Sequence, residues 1–275
     1  MATLAADSAV DLGLERVTPV IGAWVRNFDL TGSDNPRKAG ALRKALADHG
    51  VLFFDFDRVP EANEFNDFAA LFGNVQEVFG QRVKNRDENE VPMLDGRKMP
   101  LKDYLTNWWH SDGGPLDVPP LAAILAAVEA PELGGQTMWS STCAAYDALS
   151  PALQAMLDKL TLLNNNDRTP FLEPKEHTQP AVVRIPLSGR KALYYNPIYT
   201  QRFLELTEKE HNALRPFLLD HINTPEFHCS LTWKAGYCAV WHQQATWHRA
   251  VDGFLGQRKL KRLTVDGVPQ VPVDG

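Results

Sequence analysis

His110 and Asp112 form the only place in this chain where an imidazole is followed two residues later by a carboxylate. In an extended segment, side chains i and i+2 leave the same side of the backbone, so one short stretch can offer two ligands to one metal. A second histidine would complete a set of two imidazoles and one carboxylate. Such a set occupies one face of a six-coordinate Fe(II) and leaves the other face for a chelating cosubstrate and dioxygen. The segment WHQQATWHRAVDGFLGQRKLKRLTVDG offers His242 and His248 for that position. Both stay open on residue type alone, and a histidine among tryptophans is more often a hydrogen-bonded core residue. Arg258 and Arg262 follow, four apart; in a strand that spacing puts both on one face, able to meet a dicarboxylate beside the metal. The commoner alternative is a solvated basic face shared with Lys259 and Lys261. The His-x-Asp pair is weak by itself, since 8 histidines and 34 acidic residues among 275 give about one such pair by chance.

Elements must bring these residues together. Residues 36–49 place Leu42, Ala45 and Leu46 at helical spacing, and Gly50 stops the helix before the β-type run Val51 to Phe54. Further helices are predicted over 61–72, over 146–163 with a break near Ser150 and Pro151, and over 208–222. The alanine-rich stretch LAAILAAVEAP is ambiguous, since alanine favours helix while its shortness and the flanking prolines favour a buried strand; strand is chosen largely for the resemblance that the chain's motifs carry. Short apolar or alternating runs at 181–185, 192–195 and 237–241 read as strands separated by turns. Residues 74–109 are loop-like, and a loop of that length is usually a lid or binding element. It leads into Asn107, Trp108 and Trp109, which suggest an enclosed wall ahead of His110, while Gly113 and Gly114 suggest a sharp departure behind Asp112. The sum is a mainly β chain, with a barrel or jelly-roll core wrapped by helices.

Composition narrows the function. A chain of 275 residues with 44% hydrophobic and 23% charged residues is ordinary globular composition, and no linker divides it, so residues 1–275 are expected to form a single domain. A net charge of −6 argues against a nucleic-acid partner. The first residues lack the basic start of a secretory signal, and Leu121 to Val128 is too short to cross a bilayer, so a cytoplasmic protein with no membrane partner is expected. Cys143, Cys229 and Cys238 form neither a C-x-x-C pair nor an even set and read as buried thiols.

Four motifs in order carry a resemblance. They are W-H-S-D at 109–112; G-G-Q-T-M-W at 134–139 with A-A-Y-D-A-L-S at 144–150; tryptophan to histidine across 241–248; and R-K-L-K-R-L-T at 258–264. Together with the opening VLFFDFDRVPEANEFNDFAALFGNVQEV, they make residues 15–268 similar to the taurine dioxygenase and 2,4-dichlorophenoxyacetate dioxygenase family of Fe(II)- and 2-oxoglutarate-dependent oxygenases. The resemblance implies a double-stranded β-helix (jelly-roll) core flanked by α-helices. It implies His110, Asp112 and His248 as iron ligands, and Thr137 and Arg258 as partners of the distal carboxylate of 2-oxoglutarate. Arg262 matches a second family arginine, near the chelating end of the cosubstrate or an anionic group of the substrate. Where family members commonly show W-D-N-R, this chain has Trp241, His242, Gln243 and Gln244, which keeps His242 as a rival ligand.

The activity so implied consumes O2 and 2-oxoglutarate, releases succinate and CO2, and hydroxylates an aliphatic carbon of a small-molecule substrate. A small or medium organic acid is expected, such as an aryloxyalkanoate, a sulfonate or an amino-acid-derived natural product, because Phe79, Arg82, Lys84, Trp108 and Arg262 mix basic and aromatic character. Asp112 argues for oxygen insertion, since glycine or alanine there would vacate a position for chloride. Competing readings are a non-oxidative metal-binding barrel and a zinc hydrolase with Glu77 or Asp117 as its base. A homo-oligomer is a weak general expectation.

Overall fold

The computed structural model describes residues 10–76, 91–95, 107–167 and 175–273. Mainly β, the chain carries few helices. Its largest sheet is built from β1 (Leu14–Arg16), β2 (Ala23–Val25), β3 (Val51–Asp55), β4 (Val75–Gln76), β5 (Met93–Asp95), β6 (Ala122–Glu129), β14 (Tyr237–His242) and β16 (Lys259–Val265). The order is β1-β2-β3-β14-β6-β16-β4, with β5 also on β16; only β2 and β3 pair parallel. A second sheet of three strands places β7 (Thr137–Ser141) between β13 (His228–Leu231) and β15 (Thr246–Ala250).

Alternation along the strands builds two cores. Val51 and Phe53, Ala123 and Leu125, and Ala239 and Trp241 point from the large sheet toward Trp139, Cys229 and Leu231 of the small one. Their neighbours Leu52 and Phe54, Ala122 and Ile124, and Cys238 and Val240 point the other way. They pack against α1 (Asn35–His49) through Leu42 and Leu46, and against α2 (Ala62–Ala70) through Phe65 and Phe68. Each fully buried valine, leucine, isoleucine or phenylalanine among them contributes about 1.5–3 kcal/mol of transfer free energy, and each alanine less. Because the sheet is covered on both faces, its central strands are apolar at nearly every position, and the alanines of β6 leave room for Trp241 and the helices. Behind the small sheet, Trp247 packs with Leu218 and Ile222 of α5 (Glu208–Ile222). That helix opens on a capping box in which Thr207 and Glu210 exchange hydrogen bonds.

Two expectations need correction. The helix over 146–163 is instead α3 (Thr142–Asp147), α4 (Pro151–Leu157) and a strand, β8 (Thr161–Asn165). Leu162 and Leu163 suit a helix locally, yet β8 pairs with β9 (Glu176–Pro180) on one side and β12 (Thr200–Phe203) on the other, and that pairing overrides propensity. The stretch 74–109 is not all loop, for β4 and β5 both pair with β16. Phe79, Arg82, Lys84 and Glu77 lie outside the described residues, as does most of the expected lid. The remaining short pair is β10 (Val182–Arg184) with β11 (Lys191–Leu193). All three cysteines are buried and free. Among the described residues no helix is long and apolar enough to cross a membrane.

Candidate active site

His248 sits in the middle of β15, opposite Trp139 of β7, and therefore on the face turned toward the large sheet. Its flanking Trp247 faces the other way and donates its indole N–H to the carbonyl of Tyr195 at 2.7 Å. The His-x-Asp segment reaches it through the backbone. The N–H of His110 donates to the carbonyl of His248 at 3.1 Å, and the N–H of His248 to the carbonyl of His110 at 2.7 Å, a two-bond antiparallel bridge. Gly113 then turns the chain away with φ 79°, where a Cβ would lie 2.6 Å from Pro120.

One ligand atom from each of His110, Asp112 and His248 lies within 4.8 Å of the others, and all three residues are buried. Nε2 of His110 is 3.8 Å from Oδ1 of Asp112, and Nε2 of His248 is 3.9 Å from Oδ2. Nδ1 of His110 lies 2.8 Å from the carbonyl of Trp108. A carbonyl only accepts, so Nδ1 carries the proton and Nε2 presents a lone pair. Burial holds both imidazoles below the ordinary histidine range, and for His248 the neighbouring His110 adds to the effect, so both are neutral. Burial alone would push the Asp112 carboxyl up; the Arg262 guanidinium, with the Gln243 amide hydrogen bond beside it, outweighs burial and holds the group well below the usual carboxylate range. Two neutral imidazoles and one carboxylate at this separation fit a divalent transition-metal ion.

His242 is placed elsewhere. It ends β14 opposite Ala122, in step with Cys238 and Val240, which face the helices. Its Nδ1 lone pair accepts the N–H of Gln244 at 3.3 Å, and it is not part of the metal-ligand group.

A second polar centre lies on the same inner face. Gly134 and Gly135 both have positive φ, 77° and 68°; a Cβ on Gly134 would stand 2.4 Å from the carbonyl of Gly253. That double turn aims the Gly135 carbonyl at Arg258, whose Nε donates to it at 3.0 Å. Nη2 of Arg258 reaches the hydroxyl of Thr137 at 3.3 Å, and the indole of Trp233 donates to the same oxygen at 3.1 Å. Both contacts use the oxygen, so the Thr137 O–H remains free to donate. Arg258 is 5% exposed, and burial lowers it to about 10, which leaves it cationic at neutral pH. Among the described residues it has hydrogen bonds to a carbonyl and a hydroxyl and no carboxylate partner. A buried cation of this kind suits an anion from outside the chain.

Arg262 does not join that centre. Its Nη2 lies 2.5 Å from Oδ2 of Asp112. The pair of expected wall tryptophans also divides: Trp109 is buried and donates to Asn223 at 2.7 Å, whereas Trp108 is 62% exposed and contributes only its carbonyl. Two contributors were not anticipated from the sequence. Gln243 bonds Asp112 twice, and Asn196 holds the intervening Ser111 through its carbonyl and hydroxyl, at 2.8 and 3.1 Å. Gln243 was findable, because strand parity continued past Trp241 puts it on the inner face and His242 on the outer one. Asp117, one nominated base, is exposed and pairs with His177 at 3.5 Å.

Comparison with known proteins agrees along nearly the whole chain. A sulfate ester dioxygenase of Pseudomonas putida, described as alpha-ketoglutarate-dependent, is 29% identical, covering 98% of this chain and 94% of its own. Pentalenolactone F synthase of Streptomyces arenae is 26% identical over 90% of this chain and 94% of its own. The crystal structure of a taurine dioxygenase from Burkholderia xenovorans superposes with a TM-score of 0.82 at 29% identity, covering 97% of this chain and 94% of that one. The sequence profile of one family matches residues 14–264, and the chain accordingly belongs to the taurine catabolism dioxygenase TauD, TfdA family.

Proposed function

We propose that this chain is an Fe(II)- and 2-oxoglutarate-dependent dioxygenase that hydroxylates an aliphatic carbon of a small or medium organic acid. The observation that carries the reading is the buried group of His110, Asp112 and His248, together with a buried arginine, Arg258, that has no carboxylate partner among the described residues. In this reading the three residues hold Fe(II), and Thr137 and Arg258 hold the far carboxylate of 2-oxoglutarate. When bound, iron, 2-oxoglutarate and O2 supply the oxidising equivalent, with succinate and CO2 as coproducts.

The chain's own residues bind, orient and exclude water. Trp108's carbonyl fixes the tautomer of His110, so its Nε2 points inward as a lone pair. Arg258 supplies charge and Thr137 a hydrogen, a directional pair suited to a carboxylate. Trp139 and Trp241, both fully buried, close the apolar side, with Trp241 4.9 Å from the ring of His248. Arg262, on Asp112, acts on the ligand rather than on the far carboxylate. The two sheets are read as the walls of a jelly roll, with the whole chain working as one domain. Substrates bearing a sulfate ester, sulfonate or carboxylate are favoured, since the relatives include proteins named for sulfate esters and sulfonates.

The test is anaerobic addition of Fe(II) and then 2-oxoglutarate to metal-free protein. The weak visible charge-transfer band of a chelated 2-oxo acid is expected, and Arg258→Ala should lose it at 2-oxoglutarate concentrations that saturate the wild type. Truncating this buried, hydrogen-bonded cation should cost about 2–5 kcal/mol of cosubstrate binding. Metal binding with no band in the wild type would sink the reading. Substrate class is tested by succinate release across alkyl sulfates, sulfonates, carboxylates and uncharged analogues; turnover confined to the uncharged compounds would overturn the acid.

A further inference from the structure

The turn that links the two sheets carries Gln243, a fully buried amide that spends both of its functions on one residue. Its Oε1 accepts the backbone N–H of Asp112 at 2.9 Å, and its Nε2 donates to Oδ2 of Asp112 at 2.8 Å. The orientation of the amide is dictated, because an N–H only donates and an ionised carboxylate only accepts. Gln243 is itself anchored, its backbone N–H donating to the carbonyl of Leu121 at 2.9 Å. Holding both the backbone and the carboxylate of one residue fixes the side-chain rotation of Asp112. Arg262 adds a second donor to the same oxygen at 2.5 Å. Oδ2, 3.9 Å from Nε2 of His248, therefore carries two donors, while among the described residues Oδ1 accepts no hydrogen bond and lies 3.8 Å from Nε2 of His110.

We infer that Gln243 is a positioning residue that holds Asp112 as a one-oxygen ligand, with Oδ2 engaged by the protein and Oδ1 presented to the metal. The inference rests on the reading of His110, Asp112 and His248 as metal ligands and adds what sets the geometry of the third. A carboxylate free to turn would chelate through both oxygens and occupy a position that the cosubstrate needs. Arg262 alone does not prevent this, since it touches a single oxygen and could follow it. The double contact from Gln243 ties the carboxylate to its own backbone. This position belongs to the stretch in which the chain departs from W-D-N-R.

The test uses the full chain, metal-free, titrated anaerobically with Co(II) and followed by its visible d–d absorption. Gln243→Met keeps the volume and removes both hydrogen-bonding functions. Co(II) affinity is expected to fall about 10- to 100-fold, the usual cost of losing a partner of a metal ligand, with a changed band shape. In an Asp112→Ala background the same substitution should have no further effect, because Gln243 acts through Asp112. Melting temperature without metal reports folding; if Gln243→Met does not fold, Gln243→Glu keeps the acceptor for the Asp112 N–H and removes the donor to Oδ2. Wild-type affinity and band shape in a folded variant overturn the inference, as does a full additional loss in the Asp112→Ala background. Should Asp112→Ala itself leave Co(II) binding unchanged, the metal-site reading fails; loss with Asp112→Ala but not with the Gln243 variants fails the positioning role alone.

Discussion

His242 and His248 stand on either side of one short turn, on strands that belong to different sheets. Both are buried neutral imidazoles, and burial lowers the basicity of both. They differ in the face they occupy. His242 follows the outer parity of β14, and its ring nitrogen serves the backbone of the turn. His248 follows the inner parity of β15 and meets Asp112. Burial and perturbed basicity therefore do not separate a candidate ligand from a core residue here. What separates them is which side of a sheet the residue leaves, together with whether the imidazole lone pair already has a partner.

The sharpest way to break this contrast is to remove each ring. His248→Ala should abolish stoichiometric Co(II) binding in an equilibrium titration, whereas His242→Ala should retain it with a lowered melting temperature. Loss of metal with His242→Ala in folded protein would reverse the assignment. A smaller effect is expected with pH. His242 falls from its ordinary 6.5 to about 4 in the folded chain, so between those values the unfolded chain binds the extra proton. Its contribution leaves stability untouched above pH 6.5, erodes it as pH falls, and levels off below about 4, for a total of about 3 kcal/mol. His110 and His248 are lowered too and act in the same direction. Chemical denaturation of metal-free His242→Gln should show a shallower acid loss than the wild type; an identical profile would mean that this ring does not titrate with folding. The smallest effect belongs to the anion centre. Trp233→Phe removes one donor to Thr137 and should weaken 2-oxoglutarate binding by about 0.5–1.5 kcal/mol while leaving Co(II) affinity alone. A matching loss of metal affinity would show that the two centres are not separable.

Local patterns made several elements readable. The spacing of Leu42, Ala45 and Leu46, closed by Gly50, sufficed for α1, and Thr207 with Glu210 marks the start of α5. For the strand at 122–129, shortness and flanking prolines opposed its alanines without deciding the matter, and the family resemblance tipped the reading. Failure came where pairing partners lie far away. Nothing near Leu162 reveals that β8 sits between β9 and β12, so its leucines read as helix. In the site, spacing made Arg258 and Arg262 look like one clamp, yet the structure sends Arg262 to Asp112 and leaves Arg258 with Thr137. Even spacing fixes a shared face and says nothing of which neighbour each long side chain reaches. Gln243 escaped notice because an amide has no titrating chemistry of its own, and the departure from W-D-N-R drew attention to His242 instead.

The backbone bridge between His110 and His248 has a bearing on how the chain acquires its structure. Asp112 and Gln243 are 131 positions apart, and the site exists only when these distant segments meet. Closing a loop of that size is entropically unfavourable until other contacts hold its ends, and the apolar layer between the two sheets is the available source of such contacts. On this account the expected order is sheets first and ligand cluster last, with a divalent ion loaded into an assembled protein rather than templating its folding. Metal depletion should accordingly yield a folded, inactive pool from which activity returns on adding metal, without refolding the chain.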